Sequence, residues 1–236
     1  MRKLTLTAVT ATVALGAVGV AQAVTPATSM TASVSPSKKG TSKKPSNGKL
    51  SIDLVTTPSA TDAPFATRTT VVHFDKNIRF GGKYLPTCAS AQVQKDDTKC
   101  KKGSRVGSGS ATGLALGLIE RLGVKAYNGP GGNKIELLVT GSSPLTIRSV
   151  IEGKLLKDSG KFGQKLVVAV PESLQQPVAG AFATLTDFKT TVNGMGTKKR
   201  PYIGLAGCAG RTLNYQTDFA FTDGASSTAT TTSSCS

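Results

Sequence analysis

Tryptophan is absent from this chain of 236 residues, aromatic residues make up only 5% of it, and it has a single histidine, His73. A cleft that stacks sugar rings needs aromatic platforms, and only four tyrosines are available. Imidazole acid–base chemistry could rest only on His73, whose position two residues before Asp75 is typical of a surface ion pair on a strand. These absences argue against a histidine-dependent or sugar-stacking enzyme, and they leave the core to aliphatic side chains and eight phenylalanines.

Familiar catalytic and cofactor-binding motifs are also missing. Neither Ser108 nor Ser110 stands in a Gly-x-Ser-x-Gly elbow, and the glycine-rich segment 103–109 has neither the ending of a P-loop nor the spacing of a dinucleotide site. No C-x-x-C pair, EF-hand loop or H-E-x-x-H sequence occurs. The sequence therefore predicts no catalytic residue, no metal and no cofactor.

Paired carboxylates are the remaining basis for an enzyme. Glu120, Glu136 and Glu152 fall on neighbouring predicted strands, where two of them could support glycoside hydrolysis. Because only 13 acidic residues are scattered among 29 basic ones, ion pairing explains them better. A secreted hydrolase is kept as an alternative hypothesis.

The N-terminus has the features of a secretory signal peptide over residues 1–23. Arg2 and Lys3 form a basic segment, an apolar stretch follows, and Ala21-Gln22-Ala23 matches a cleavage site. The apolar stretch is rich in Ala, Thr and Gly and is weaker than the roughly 20 strongly apolar residues of a spanning helix. We therefore predict a secreted extracellular protein, in some settings bound to the cell wall, without a transmembrane segment in the mature chain.

The four cysteines are an even set, which in an oxidising compartment predicts two disulfides. Three pairings are open, and proximity in sequence favours Cys88 with Cys100 and Cys208 with Cys235. Each bond would close a short loop and stabilise the fold by roughly 2 to 4 kcal/mol.

Basic residues dominate the charge. The formal net charge is +16, or +14 once Arg2 and Lys3 are removed (16 − 2), and such a field attracts polyanions. Excess lysine that only keeps the protein soluble is the simpler explanation. A Cys88–Cys100 disulfide would hold the densest cluster as a constrained loop, which loses less entropy on binding than a flexible tail. The candidate contacts for an anionic partner are Lys95, Lys99, Lys101, Lys102 and Arg105.

The chain divides into a linker and one domain. Residues 24–48 are rich in Ser, Thr, Pro and Lys and lack periodicity, which predicts a disordered basic linker. From residue 49 to 236, alternating apolar residues separated by Gly- and Asn-rich turns predict a single β domain. We expect an antiparallel β-sandwich, with a β-barrel as the alternative.

Several segments carry the strand predictions. The long alternation over 106–126 favours two strands joined by a bulge or short loop, although leucines spaced by four leave a helical turn over 114–122 open. Turn signals at 128–133 and 193–196 predict hairpins, the second between strands at 183–192 and 200–207. The remaining strands are expected near 49–54, 68–75, 135–139, 147–156, 164–170, 213–222 and 226–234.

A family resemblance spans about residues 50–235. It rests on the strings at 73–77, 85–88, 126–132, 170–177 and 184–188, and on CKKGSRVGSG at 100–109. On these strings the chain resembles a group of secreted, uncharacterised actinobacterial proteins. The resemblance implies that the cysteines and glycine-rich turns form the framework and that the setting is a Gram-positive envelope. It assigns no activity and no site residue.

We therefore predict a non-enzymatic protein, secreted or associated with the cell envelope, that binds anionic envelope polymers through its Lys-rich segments. Nucleic acid is not expected as its physiological partner. Besides the hydrolase, a purely structural surface protein remains an alternative.

Overall fold

The computed structural model describes residues 26–36, 38–57, 65–193 and 200–235. The predicted signal peptide at 1–23 lies outside these residues. Two short α-helices are described, α1 (Ser90–Asp96) and α2 (Glu172–Gln175). The strands are β1 Ala27–Ser35, β2 Ser46–Asn47, β3 Lys49–Thr57, β4 Thr67–Asp75, β5 Ile78–Phe80, β6 Arg105–Ala115, β7 Leu118–Asn128, β8 Lys134–Gly141, β9 Ile147–Lys157, β10 Phe162–Ala169, β11 Thr184–Val192, β12 Ile203–Leu205, β13 Thr212–Phe221 and β14 Ser226–Ser234.

One antiparallel sheet of eleven strands dominates the fold. Its order is β1-β3-β11-β6-β7-β8-β9-β10-β4-β13-β14, so the meander from β6 to β10 is extended on both sides. The sheet curls until its two edge strands, β1 and β14, lie side by side, and the hydroxyls of Thr28 and Ser227 are 2.5 Å apart there. The all-β antiparallel prediction is confirmed, and the sheet is nearly closed like a barrel, which is consistent with the alternative prediction. Near closure protects the two edges that an open sheet would expose.

The alternation over 106–126 forms a hairpin and no helix. Leu116 and Gly117 make the turn, with both residues at positive φ. Because Gly113 pairs with Glu120 across the hairpin, even-numbered residues from Ser108 onward face outward on β6, whereas Glu120 and Leu122 face inward on β7. The same alternating positions of the sequence therefore point outward on β6 and inward on β7. The position of the turn decides which side chains point into the barrel.

The predicted linker at 24–48 is wrong for its first part. Residues 27–35 form β1, which pairs along its whole length with β3. Met30, Ala32 and Val34 alternate with serine and threonine, and these three side chains are buried in the core. β-Branched threonine suits a strand, so a composition that is typical of a linker is here compatible with an edge of the sheet.

The predicted hairpin between 183–192 and 200–207 is also wrong. β11 pairs with β3 and β6, while β12 joins a separate three-stranded sheet in the order β2-β12-β5. Residues 194–199 lie outside the described ranges. Ile203 and Leu205 of β12 are fully buried against the main core, so this small sheet covers one end of the barrel. We call this the sheet end, and the opposite end, where β6 turns into β7, the hairpin end.

The two disulfides join the cysteines that proximity in sequence favoured. Cys88 is bonded to Cys100, and Cys208 is bonded to Cys235, which ties the C-terminus to the segment before β13. Tyr202, Tyr215 and Phe74 are the largest fully buried side chains and lie in the main hydrophobic core. The pairing prediction is confirmed.

Glycine in β6 provides a test of the packing between β6 and β11. A Cβ at Gly109 would overlap the carbonyl oxygen of Lys189, whereas a Cβ at Gly113 on the same strand would meet only the Thr184 carbonyl at 3.9 Å. We expect Gly109→Ala to lower the free energy of unfolding by about 1–3 kcal/mol. Gly113→Ala, the matched control, should change it by less than about 1 kcal/mol. Urea titration checks both, and equal stability of the two variants would contradict this packing.

Candidate functional site

Part of the predicted basic cluster gathers on the outer face of the barrel. α1 and the segment after it pack against β8 and β9 through a small second core that contains Val93, Tyr127 and Leu138. The Cys88–Cys100 disulfide adjoins this core and holds the chain between α1 and β6 in place. The loop is therefore anchored by covalent and apolar contacts.

A surface concavity of about 370 Å³ lies beside this loop. We call it the basic concavity, and its lining includes three of the predicted contacts, Lys101, Lys102 and Arg105. It also includes Lys125 from β7, which sequence reasoning missed because the lysine is far away along the chain. Lys95 and Lys99 are exposed but do not line it.

Asp97 is the carboxylate of the basic concavity, and it is already neutralised. Its Oδ2 accepts hydrogen bonds from Lys125 Nζ at 2.8 Å and from the Tyr127 hydroxyl at 2.7 Å, while Arg148 Nη2 donates to Oδ1 at 3.1 Å. The Lys125 hydrogen bond, with those of Tyr127 and Arg148, holds the pKa of Asp97 well below its ordinary value. Burial and the Asp97 carboxylate raise the pKa of Tyr127 to about 12. The lining has four cationic side chains and one carboxylate, so its net charge is positive.

His73 does not form a catalytic base in this fold. Its Nδ1 lies 2.5 Å from Asp158 Oδ2, and its Nε2 lies 2.9 Å from Asp218 Oδ2. Both ring nitrogens are therefore occupied, and neither is left to take a proton from a nucleophile. Asp75, the expected neighbour, is instead buried and accepts hydrogen bonds from Asn77 and Asn214.

The three glutamates of the hydrolase hypothesis do not form an accessible pair. Glu136 and Glu152 are register partners on β8 and β9, but Glu136 is fully buried and accepts a hydrogen bond from Ser90 Oγ at 2.6 Å. Burial raises the pKa of Glu136. Glu152 is ion-paired with Lys134 at 2.7 Å. Glu120 is separate from both, because it faces the interior of the barrel.

The barrel interior contains a cavity of about 160 Å³, which sequence reasoning did not anticipate. Its wall is almost entirely apolar and is built from nine of the eleven strands of the main sheet together with the segment between β10 and β11. The smallest side chains in the wall are on β6, which contributes Ala111, Gly113 and Ala115. We call this space the barrel cavity.

Three polar side chains in the wall of the barrel cavity have a buried atom without a hydrogen-bond partner among the described residues. These atoms are Glu120 Oε1, Thr67 Oγ1 and Thr190 Oγ1. Glu120 is only 6% exposed, and it is the carboxylate among the lining residues. Buried polar atoms normally have partners, so unpartnered ones in a cavity wall indicate a place where a ligand can supply them.

Exposed apolar side chains surround the hairpin end. Leu116, Leu118 and Ile119 are 72%, 55% and 60% exposed, and Val178 is 41% exposed. The wall of the barrel cavity reaches this end through Leu145, which is only partly buried. An apolar rim therefore adjoins an apolar interior.

Within the described ranges, no group of three or more His, Cys, Asp or Glu side chains is placed to hold a metal ion. The same part of the chain has no helix with the length and apolar character needed to cross a membrane. Comparison of the chain with family models, with curated proteins and with solved structures gives no match. The resemblance to secreted actinobacterial proteins stays a prediction.

Asp97 gives a pH-dependent stability that can be measured. We expect Asp97→Asn to lower the free energy of unfolding by about 1–3 kcal/mol at neutral pH, because three donors lose their charged acceptor. Since the folded pKa is depressed, this contribution is complete above the ordinary aspartate pKa and is lost as pH falls through the folded value. The native protein should therefore lose more stability than the variant below about pH 4.

Denaturant titrations at several pH values test this. Asp223→Asn is the control, because this exposed carboxylate accepts a hydrogen bond from the Ala225 amide and from no other described residue. Parallel pH profiles for the native protein and Asp97→Asn would contradict the role given to Asp97.

Proposed function

We propose that this is a non-enzymatic binding protein that holds a small apolar molecule inside its barrel. The observation that carries the proposal is the barrel cavity of about 160 Å³ with its nearly continuous aliphatic and aromatic wall. Apolar concavities with a few convergent polar groups are the usual sites for small ligands. An apolar wall offers little to hydrogen-bond, so water is held weakly and an apolar ligand meets little competition.

The size of the barrel cavity bounds the ligand. An apolar protein cavity of roughly 150 Å³ binds benzene and stays free of water otherwise. The cavity volume of about 160 Å³ supports a single ring or a short aliphatic chain as the buried part of the ligand. The rim of Leu116, Leu118 and Ile119 at the hairpin end offers such a molecule an apolar path inward.

The compartment is part of the proposal. Two disulfides are supported best in an oxidising environment, and the signal-like segment at 1–23 points the same way. We place the protein outside the cell, either free or in contact with the envelope. An actinobacterial envelope, which the family resemblance implies, is the setting that we expect.

A filling substitution tests the barrel cavity. Ala111 is buried in its wall on β6, and its neighbour Ser110 is exposed on the outer face of the same strand. We expect the native protein to bind toluene and Ala111→Leu to bind it at least tenfold more weakly, because added methylenes occupy the space. Ser110→Leu, the matched control, should bind as the native protein does. NMR titration measures the affinities, and unchanged binding by Ala111→Leu would contradict this location.

A second function is favoured by the basic concavity. Lys101 and Lys102 on the loop anchored by a disulfide lie together with Arg105 of β6 and Lys125 of β7. The single carboxylate among them, Asp97, is already ion-paired. Cations held on a rigid scaffold lose less entropy on binding a polyanion than cations on a flexible segment. We propose that this surface binds anionic envelope polymers. A purely structural surface protein would bind at neither place.

Charge reversal tests this second function against general electrostatics. Lys101→Glu, Lys102→Glu and Arg105→Glu together reduce the net charge from +16 to +10 (16 − 6). The exposed residues Lys154, Lys157 and Lys161, which do not line the basic concavity, give a control triple with the same charge change. We expect the first triple to weaken binding to purified cell walls at least tenfold and the control to weaken it much less. Equal losses would assign the binding to net charge alone, and binding unchanged by high salt would contradict an electrostatic basis.

A further inference from the structure

We propose that the ligand of the barrel cavity is amphipathic, with an apolar ring or short chain and one hydroxyl or amine that donates a hydrogen bond to Glu120. This inference rests on the proposed function of the barrel cavity and adds the chemistry of the ligand's polar end.

Glu120 is held in position by one of its two oxygens. Oε2 accepts a hydrogen bond from the Leu145 amide at 2.9 Å, whereas Oε1 is buried and has no partner in the part of the chain that the structure describes. A carboxylate oxygen is an acceptor with room for more than one hydrogen bond. The side chain is thus fixed by the Leu145 backbone and still has acceptor capacity in a wall that is almost entirely apolar.

Glu120 is flanked by a glycine on each of the two strands that neighbour β7. Gly113, its cross-strand partner on β6, would place a Cβ in nearly open space, with the Thr184 carbonyl at 3.9 Å as the nearest atom. Gly141 on β8 lies so close that a Cβ there would overlap Oε1. The carboxylate therefore rests against Gly141, while the space over Gly113 is not filled by protein side chains.

A structural explanation of Glu120 is weak on energetic grounds. A buried carboxylate costs several kcal/mol unless other groups compensate it, and hydrophobic residues at such positions are often as stable or more stable. Leucine would fit the aliphatic surroundings of Leu122 and Val139 without that cost. Lys134 and Arg148, which face carboxylates elsewhere on β8 and β9, pair with Glu152 and Asp97 and not with Glu120. A ligand in the barrel cavity that donates a hydrogen bond to the Glu120 carboxylate supplies a partner that the described residues do not.

The chemistry of the ligand's polar end follows from the groups that can donate a hydrogen bond to Glu120. A hydroxyl or an ammonium group donates to a carboxylate, and hydrogen bonds with a charged partner are roughly twice as strong as neutral ones. A ligand carboxylate would face Glu120 as a like charge and is excluded. The hydroxyls of Thr67 and Thr190, also without partners in the same wall, can serve further polar atoms of the ligand.

A series of four single-ring probes separates these chemistries at nearly constant shape. Toluene tests the apolar body alone, benzyl alcohol and benzylamine add a donor, and benzoate adds a like charge. For the native protein we expect benzyl alcohol and benzylamine to bind at least about tenfold more tightly than toluene. Benzoate should bind more weakly than toluene. Isothermal titration calorimetry or NMR shifts of the methyl groups in the wall give the affinities.

Two variants assign the preference to Glu120. Glu120→Leu removes the acceptor, so the affinities for benzyl alcohol and toluene should converge. Glu120→Gln keeps the shape and the contact with the Leu145 amide, and it should weaken benzylamine binding at least about tenfold. Toluene binding should stay within about threefold in both variants. Glu136→Gln is the matched control, because Glu136 is also buried with one oxygen unpartnered but does not line the barrel cavity.

The outcomes distinguish this inference from the proposed function. If toluene binds as tightly as benzyl alcohol and benzylamine, the amphipathic ligand is ruled out while the apolar binding site stands. If benzoate binds best, the assignment of Glu120 as the acceptor is overturned. If none of the probes, toluene included, binds the native protein, the proposed function fails and this inference fails with it. Should Glu120→Leu not fold, the native series and Glu120→Gln still decide.

Discussion

Closure of an eleven-strand sheet is the constraint on which the rest of this structure depends. The diameter of a barrel grows with strand number, and about eight strands give an interior that side chains just fill. Eleven strands enclose more, and this chain has no tryptophan and only 5% aromatic residues with which to fill the difference. With Ala111, Gly113 and Ala115 facing inward on β6, the interior keeps unfilled space. The barrel cavity is thus a consequence of strand number combined with composition.

The two ends of the barrel differ in how they are covered. At the sheet end, β2, β12 and β5 bring Ile203, Leu205 and Phe80 against the core, and Phe80 packs on Phe74 with ring centroids 5.0 Å apart. At the hairpin end, Leu116, Leu118 and Ile119 stay exposed. The basic concavity belongs to neither end, because α1 and the disulfide loop lie on the outer wall. Apolar and electrostatic binding can therefore operate on separate surfaces of one domain.

The sequence predicted the fold class, most strands and both disulfides, because those depend on local alternation and proximity. What it could not predict depends on partners far along the chain. β1 has a linker's composition and becomes a strand only because β3 pairs with it. Lys125 joins Lys101 and Lys102 only through the pairing of β6 with β7. His73 was expected beside Asp75, yet it contacts Asp158, which follows β9, and Asp218 on the neighbouring strand β13. Such contacts are set by register, which alternation alone does not fix.

Glu120 shows most clearly how strand register determines the environment of a residue. In sequence it is one of 13 acids among 29 bases, and an ion pair is the simplest interpretation. The two-residue turn at Leu116 and Gly117 instead directs it inward, opposite Gly113, where the described structure places no cation against it. A carboxylate in that position weakens the fold unless a partner arrives from outside the chain. A ligand that donates a hydrogen bond to Glu120 would offset the free-energy cost of burying this carboxylate. That gain would contribute to the binding free energy of the ligand.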